Sequence, residues 1–163
     1  MNEQYAALIT GFPLFGGFTA HGAQLLLDGG QVRTYACGEP LFQEGDPAGF
    51  TLLVLTGKLQ VFLSRNGREM ILQEATPGTV LGELAVVCGI ARAASVRASE
   101  DSAVLHWTAE QFRGLLVRNK LFADRVLGQT LLTLIQKERS LVEALTKPET
   151  AVDPGTEGSP SKS

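Results

Sequence analysis

The sequence has 163 residues, which gives room for one domain with a single hydrophobic core. Its apolar content of 44% is ordinary for a globular protein, and its formal net charge of −3 argues against nucleic acid as the main partner. No apolar run approaches the roughly 20 residues needed to span a bilayer, and the first residues lack the basic start of a secretory signal.

The first 30 residues are predicted to form an N-terminal helical segment. Residues 2–9 fit a short helix, and glycines and a proline then break the regularity. Thr19 can cap a second short helix, which Gly29 and Gly30 would end.

Residues 31–107 change to short β runs between turn signals. Asn66-Gly67 is a strong hairpin signal, because both residues tolerate the positive φ of a type I′ turn. Many short strands at regular spacing favour a mainly β fold, an antiparallel sandwich or roll with flanking helices. The predicted strands are 32–35, 41–42, 50–55, 59–63, 70–74, 80–81, 93–98 and 103–107.

One segment interrupts this strand pattern. Residues 82–87 contain no turn residue until Gly89 and break the strict alternation of strands, so a short helix inserted between two strands fits them. Such a helix directs backbone N–H groups from its N-terminus, which favours an anion there.

Helical periodicity returns in residues 108–146. Thr108 can cap a helix with Gln111 placed for a capping box, and a longer helix is predicted over residues 121–145. Its apolar residues form two stripes, so it is predicted to bury one side against the β-roll and the other against a second copy, or to have one broad core face. The stripes are Leu127, Leu131, Leu134, Leu141 and Leu145, and Val126, Leu132, Ile135 and Val142. The polar residues 147–163 are predicted to be a disordered tail.

Arg92 is the main candidate for ligand chemistry. It lies in a small, apolar run, and a guanidinium is costly to bury without an anion, which it binds with a bidentate fork. Glu83, at the predicted helix start, can accept hydrogen bonds from ligand hydroxyls. A phosphate fused to a sugar would satisfy both residues, but an internal Glu83–Arg92 salt bridge without a ligand fits the same pattern.

Signals for catalysis are weak. Cys37 and Cys88 lie far apart without metal-site spacing and are predicted to be free thiols. His21 and His106 are too few for a histidine metal cluster, and no nucleophile triad or GxxxxGK loop is present in the sequence. We therefore expect a binding protein and not an enzyme.

Several motifs resemble those of the cyclic nucleotide-binding domain family. Gly82-Glu83-Leu84-Ala85, followed by Arg92-Ala93-Ala94-Ser95-Val96, is similar to the family's phosphate-binding cassette. The resemblance extends from about Phe12 to Leu145. It includes Gly38-Glu39-Pro40-Leu41-Phe42, Glu44-Gly45-Asp46, Leu55-Thr56-Gly57-Lys58-Leu59 and Pro77-Gly78-Thr79-Val80-Leu81.

The resemblance implies an eight-stranded antiparallel β-roll, with N-terminal helices, a cassette over residues 80–96 and a long C-terminal helix. It implies that Arg92 binds the cyclic phosphate of a cyclic mononucleotide and that Glu83 binds the ribose 2′-hydroxyl. The ligand-binding residues that we predict from it are Gly82, Glu83, Leu84, Ala85, Arg92, Ala93, Ala94 and Ser95.

The sequence says less about which base the predicted cyclic nucleotide carries. Cyclic GMP-selective relatives often have a threonine directly after the arginine, whereas Ala93 offers no hydroxyl, so cyclic AMP is favoured and cyclic GMP remains an alternative. Catabolite-activator-type relatives cap adenine with polar residues of the long helix. The corresponding stretch, residues 136–140, lacks their threonine-serine pair.

The resemblance predicts a stand-alone sensor in a bacterial cytoplasm. Relatives that regulate transcription continue into a helix-turn-helix, and no such motif follows here, so direct DNA binding is not expected. The signal would pass through the C-terminal helix to an unidentified protein partner or, as a homodimer, to a second subunit through Leu127–Leu145. The alternative is a ligand-independent dimerisation or interaction module with the same fold.

Overall fold

The computed structural model describes residues 3–146, which fall into two compact units divided after Gly128. The division lies inside the predicted segment 108–146. The boundaries predicted at residues 30, 107 and 146 stay predictions, and the predicted tail, residues 147–163, lies outside the described residues. None of the helices in residues 3–146 is long and apolar enough to cross a membrane.

The N-terminal helices match their sequence signals. Helix α1 spans Glu3–Gly11, a short 3₁₀ helix spans Pro13–Phe15, and helix α2 spans Ala20–Asp28. The Thr19 hydroxyl accepts a hydrogen bond from the Gly22 N–H at 3.0 Å, so the predicted cap is confirmed. Helix α2 ends at Gly29, whose N–H donates to the Leu25 carbonyl.

Eight antiparallel strands form two four-stranded sheets in the described residues, which confirms the predicted fold class. The strands are β1 Gln31–Tyr35, β2 Pro40–Phe42, β3 Phe50–Thr56, β4 Leu59–Arg65, β5 Arg68–Ala75, β6 Val80–Leu81, β7 Ser95–Ala98 and β8 Ser102–Thr108. The first sheet has the order β1-β8-β3-β6 and the second β2-β7-β4-β5.

The hairpin between β4 and β5 turns at Asn66-Gly67, as predicted. Both residues have positive φ, 52° and 78°, which matches the right-handed twist of the two strands. A β-bulge interrupts the pairing further along, because Val61 is opposite Gln73 whereas Phe62 is opposite Ile71. Leu72 is therefore the extra residue of the bulge.

The start predicted for strand β7 was wrong. Strand pairing begins at Ser95 and not at Ala93, because the backbone of Arg92 is hydrogen-bonded to the Gly45-Asp46 turn instead of to a neighbouring strand. The Arg92 N–H donates to the Asp46 carbonyl, and the Arg92 carbonyl accepts from the Gly45 N–H, both at 2.9 Å.

The hydrophobic core has two layers. Between the sheets lie side chains that include Leu52, Val54, Leu59, Val96 and Val104. A second cluster joins the helices to the outer face of the first sheet and includes Ile9, Phe15, Leu26, Trp107 and Phe122. Trp107 is fully buried, and its indole N–H donates to the Leu26 carbonyl at 3.0 Å.

Two helices follow the last strand. Helix α4, Ala109–Arg118, begins with the predicted capping box between Thr108 and Gln111, which is confirmed in both directions. Helix α5 spans Lys120–Thr146. Its first turns bury Phe122 and Val126, whereas the large apolar side chains from residue 131 onward are exposed.

Candidate functional site

The candidate site is built around the inserted helix α3, Glu83–Cys88, which follows strand β6 as predicted. Gly82 precedes it with a φ of 83°, a left-handed conformation that favours glycine. Gly89 ends it in the same conformation, and its N–H donates to the Ala85 carbonyl. The short helix is thus flanked by a left-handed glycine at each end.

The backbone of Arg92 is held by the Gly45-Asp46 turn through the two hydrogen bonds described above. Gly45 adopts a φ of 90°, so this turn also depends on a glycine. The Glu44-Gly45-Asp46 motif, which is remote in sequence from the cassette, therefore fixes the position of the Arg92 backbone.

The Arg92 side chain is only 3% exposed. Its Nη1 donates to the Gly82 carbonyl at 3.0 Å, and its Nη2 donates to the Phe50 carbonyl in a short hydrogen bond. The guanidinium carbon lies 4.0 Å from the centre of the Phe42 ring and 5.0 Å from that of Phe50, a cation–π arrangement on two sides. The Nε atom is buried without a hydrogen-bond partner in the described part of the chain.

The electrostatics of the site favour an added anion. Burial lowers the pKa of Arg92, and the negative charges of Asp46 and Glu83 only partly oppose this effect. Burial, followed by the charges of Arg33 and Arg92, also lowers the pKa of His106 to about 4. With this lowered pKa the His106 ring, which stacks on Phe50 at 4.3 Å, is neutral at physiological pH.

A cavity of about 170 Å³ adjoins Arg92. Its polar side chains are Gln73, Glu83 and Arg92, and its remaining lining is apolar or small. The complete lining is Phe42, Val61, Gln73, Leu81, Gly82, Glu83, Leu84, Ala85, Ile90, Arg92, Ala93, Ala94 and Val96.

Seven of the eight predicted site residues line this cavity, namely Gly82, Glu83, Leu84, Ala85, Arg92, Ala93 and Ala94. Ser95 does not, and its hydroxyl accepts a hydrogen bond from the Glu44 N–H at 2.9 Å. Whether the seven residues bind a ligand stays a prediction. Residues 3–146 contain no cluster of three or more potential metal-ligating His, Cys, Asp or Glu side chains.

The predicted site omitted Leu81, Ile90 and Val96 of the cassette segment, which also line the cavity, and it missed Phe42, Val61 and Gln73. The last three belong to strands β2, β4 and β5, and only the pairing of the second sheet brings these strands to the cassette. The sequence did contain a signal for Gln73. It lies two positions before Ala75, which is buried, so the two residues share a face of strand β5.

These features define a β-roll with an arginine-centred cassette, and the profile of the cyclic nucleotide-binding domain matches residues 32–119. The match covers more than half of the chain. The chain belongs to the cyclic nucleotide-binding domain family, as its motifs indicated.

Among its relatives is the cyclic AMP receptor protein of Thermus thermophilus, 34% identical over 117 residues, which are 71% of this chain and 54% of that protein. The chain thus spans about half the length of that relative. The crystal structure of the Thermus thermophilus catabolite activator protein aligns with a TM-score of 0.74 at 30% identity, over 82% of this chain and 63% of that one. The cGMP-dependent protein kinase egl-4 of Caenorhabditis elegans is 35% identical over 88 residues, 54% of this chain and 10% of the kinase.

Proposed function

We propose that this chain is a cyclic AMP-binding sensor domain that signals through its C-terminal helix to a protein partner or a second subunit. Binding, and not catalysis, is the activity that this proposal assigns. A cytoplasmic location stays a prediction.

One observation carries the proposal: the buried Arg92 guanidinium adjoins a cavity and has an unpartnered Nε. A buried cation without a full set of hydrogen-bond acceptors is costly, and an anionic ligand in the cavity would remove that cost. A cyclic phosphate offers two free oxygens, which suit the planar donor array of arginine.

Glu83 lines the same cavity, which supports a sugar hydroxyl as the second ligand group. A carboxylate accepts hydrogen bonds and therefore complements a hydroxyl, whereas it would repel a second phosphate oxygen. The combination of one cation and one acceptor favours a cyclic ribose phosphate over a free phosphate ester of higher charge.

Two observations favour adenine as the base. Ala93, directly after the arginine, has no hydroxyl for a guanine amino group, and the Thermus thermophilus relative is named for cyclic AMP. The similarity to a cGMP-dependent kinase makes cyclic GMP the competing ligand to test.

The output of the sensor would pass through helix α5. Leu131, Leu134 and Leu141 are 61%, 41% and 59% exposed, and their spacing forms a seam suited to a second helix. We propose a second copy of the chain as its partner, and propose no direct contact with DNA.

The same exposed stripe supports a second candidate function, a ligand-independent dimerisation or interaction module. In that case Arg92 would serve the protein alone, through its bonds to the Gly82 and Phe50 carbonyls. The two candidate functions predict different effects of removing the Arg92 guanidinium on nucleotide binding and on folding.

Isothermal titration with cyclic AMP and cyclic GMP tests the proposal. Wild type is expected to bind cyclic AMP, and Arg92→Met to weaken binding by roughly 100-fold, because a hydrogen-bonded charge contributes about 1.5–3 kcal/mol for each contact. The matched control is Arg97→Met, since Arg97 also stacks on a ring, that of Phe62 at 4.2 Å, but does not line the cavity.

The variants also separate the two candidates. The sensor predicts that Arg92→Met loses binding while Arg97→Met keeps it. Absence of heat with both nucleotides in wild type, together with unfolding of the Arg92→Met protein, would establish Arg92 as a structural residue and favour the interaction module.

A further inference from the structure

The Phe50 side chain contacts Arg92 from outside the ligand cavity. Its ring centre lies 5.0 Å from the guanidinium carbon of Arg92. Arg92 and Phe42 line the cavity, whereas Phe50 does not. Phe50 can therefore influence a ligand in that cavity only through a neighbouring side chain.

The orientation of the Phe50 ring is set by its neighbours. Phe50 is the first residue of strand β3 and pairs with Thr108 of strand β8. Its ring stacks on the His106 ring, with centres 4.3 Å apart and planes at 22°, and packs edge-to-face against the Phe42 ring at 5.8 Å. Ring pairs in these geometries are stabilising, so the Phe50 ring is already oriented without a ligand.

Two aromatic rings and two carbonyl groups contact the guanidinium, and all four are neutral. The rings are those of Phe42 and Phe50, and the Nη atoms of Arg92 donate to the carbonyls of Gly82 and Phe50. Such contacts stabilise a buried cation without cancelling its charge, whereas a carboxylate in the same place would compete with an anionic ligand. The arrangement thus leaves the charge of Arg92 available to a phosphate.

The far end of the Arg92 side chain needs this support. Its backbone is bonded to the Gly45-Asp46 turn, but several rotatable bonds separate the backbone from the guanidinium. A site binds more weakly in proportion to the fraction of molecules that are not in the binding conformation. Contacts that restrict the guanidinium therefore raise ligand affinity even when they do not touch the ligand.

We propose that Phe50 is a positioning residue of the nucleotide site, and that its ring holds the Arg92 guanidinium in the orientation that receives the phosphate. The inference rests on the proposed function. In this orientation the Nε atom of Arg92 is buried and has no hydrogen-bond partner in the described residues, so it is the donor left for the ligand.

Phe50→Leu tests the role of the ring, because it keeps an apolar side chain and the carbonyl that accepts from Arg92. Isothermal titration should show cyclic AMP binding weakened about tenfold, within the range of a desolvated cation–π contact. Phe50→Tyr keeps the ring and should bind within about threefold of wild type. The matched control is Phe62→Leu, because Phe62 stacks on Arg97 at 4.2 Å without lining the cavity, and its affinity should change less than about twofold.

A double-mutant cycle with Arg92→Met separates positioning from a general loss of structure. Without the guanidinium the ring has no cation to hold, so Phe50→Leu should change the residual affinity less than about twofold. Phe50→Met repeats the substitution with a side chain of different shape, and urea denaturation shows that each variant is folded. The Phe50→Tyr comparison does not depend on the Arg92→Met protein.

The outcomes distinguish this inference from the proposed function. The role of Phe50 would be overturned, with the proposed function intact, if Phe50→Leu and Phe50→Met bind cyclic AMP as tightly as wild type. It would also be overturned by a tenfold loss that appears in Phe50→Tyr or persists in the Arg92→Met background. A wild type that binds neither cyclic AMP nor cyclic GMP would overturn both.

Discussion

Residues 3–128 contain a buried core, whereas none of residues 129–146 is buried. The first region has a core that includes the buried aromatic side chains Phe15, Trp107, Phe112 and Phe122, and it also buries a cation, Arg92. The second region is a single helical segment in which the exceptions are exposed apolar residues, from Leu131 at 61% to Leu145 at 75%. Buried charges and clustered exposed apolar side chains are the two deviations that most often indicate function.

Helix α5 has different surroundings along its length. Phe122 and Val126 of helix α5 complete the core of the first region. The same apolar periodicity continues beyond Gly128, but nothing in the described residues buries it. Substitutions in the first region should therefore cost stability or ligand affinity, and substitutions in the second should cost association alone.

The largest effect is expected for Phe122→Ala. Phe122 is fully buried and contacts Phe15, Trp107 and Phe112 through ring pairs 5.4–6.2 Å apart. Its truncation should lower the free energy of unfolding by about 3–5 kcal/mol, whereas Leu131→Ala should change it by less than about 0.5 kcal/mol. Urea denaturation followed by tryptophan fluorescence measures both, and equal losses would contradict the distinction between the two regions.

A pH-dependent loss of stability is the next largest effect. Burial lowers the pKa of His106 from 6.5 to about 4, so the folded state keeps the ring neutral while the unfolded state binds a proton below pH 6.5. The stabilisation is complete above pH 6.5 and is lost as the pH falls toward 4, by about 3 kcal/mol at most.

Denaturation at pH 7.5, 6, 5 and 4.5 measures this loss, and the slope is the quantity to compare. His106→Gln removes the titrating ring and should flatten the slope over this range, whatever it does to absolute stability. His21→Gln is the control, because His21 is exposed. An unchanged slope in His106→Gln would show that His106 binds protons equally in the folded and unfolded states, which would contradict a lowered pKa.

Gly82→Ala should have a smaller effect on stability but a specific one on the site. A Cβ at this position would lie 2.5 Å from the Arg92 Nη1 atom, and the φ of 83° is unfavourable for alanine. The control is Gly67→Ala, which has a similar φ of 78° but no atom within 4 Å of the added Cβ. Both variants should lose roughly 1–2 kcal/mol of unfolding free energy, and only Gly82→Ala should also weaken cyclic nucleotide binding.

The predictable parts of the structure are those that depend on neighbours in the sequence. The Asn66-Gly67 turn, the Thr108–Gln111 capping box and the short helix after Gly82 each have a local physical cause. The start of strand β7 was misplaced because Arg92 bonds to the Asp46 turn, a contact across 46 residues that no local pattern reveals.

In the candidate site, too, the predictable residues are those that are close together in the sequence. Gly82, Glu83 and Arg92 could be identified because they lie within eleven consecutive residues. Phe50, whose ring and carbonyl both contact Arg92, could not, since strand β3 approaches the cassette only through tertiary packing. The resemblance of the motifs therefore predicted the cavity-lining residues of the cassette more fully than the residues that hold Arg92 in place.

The smallest effect on folding is expected for Leu141→Glu, which tests the second region directly. Leu141 is 59% exposed, so a carboxylate there should change the free energy of unfolding of the monomer by less than about 0.5 kcal/mol. If this stripe forms a two-helix seam with a second copy, the same charge faces its symmetry mate and the dissociation constant of the dimer should rise at least tenfold. Sedimentation velocity over a range of protein concentrations measures that constant.

Gln136→Glu is the matched control, because it adds the same charge to an exposed polar position of the same helix segment. Dimerisation should survive it. Each protein is examined with and without cyclic AMP, since a dimer whose dissociation constant changes with nucleotide supports the sensor and a nucleotide-independent dimer supports the interaction module. A wild type that stays monomeric at all concentrations, with and without cyclic AMP, would contradict the proposal that residues 129–146 mediate self-association.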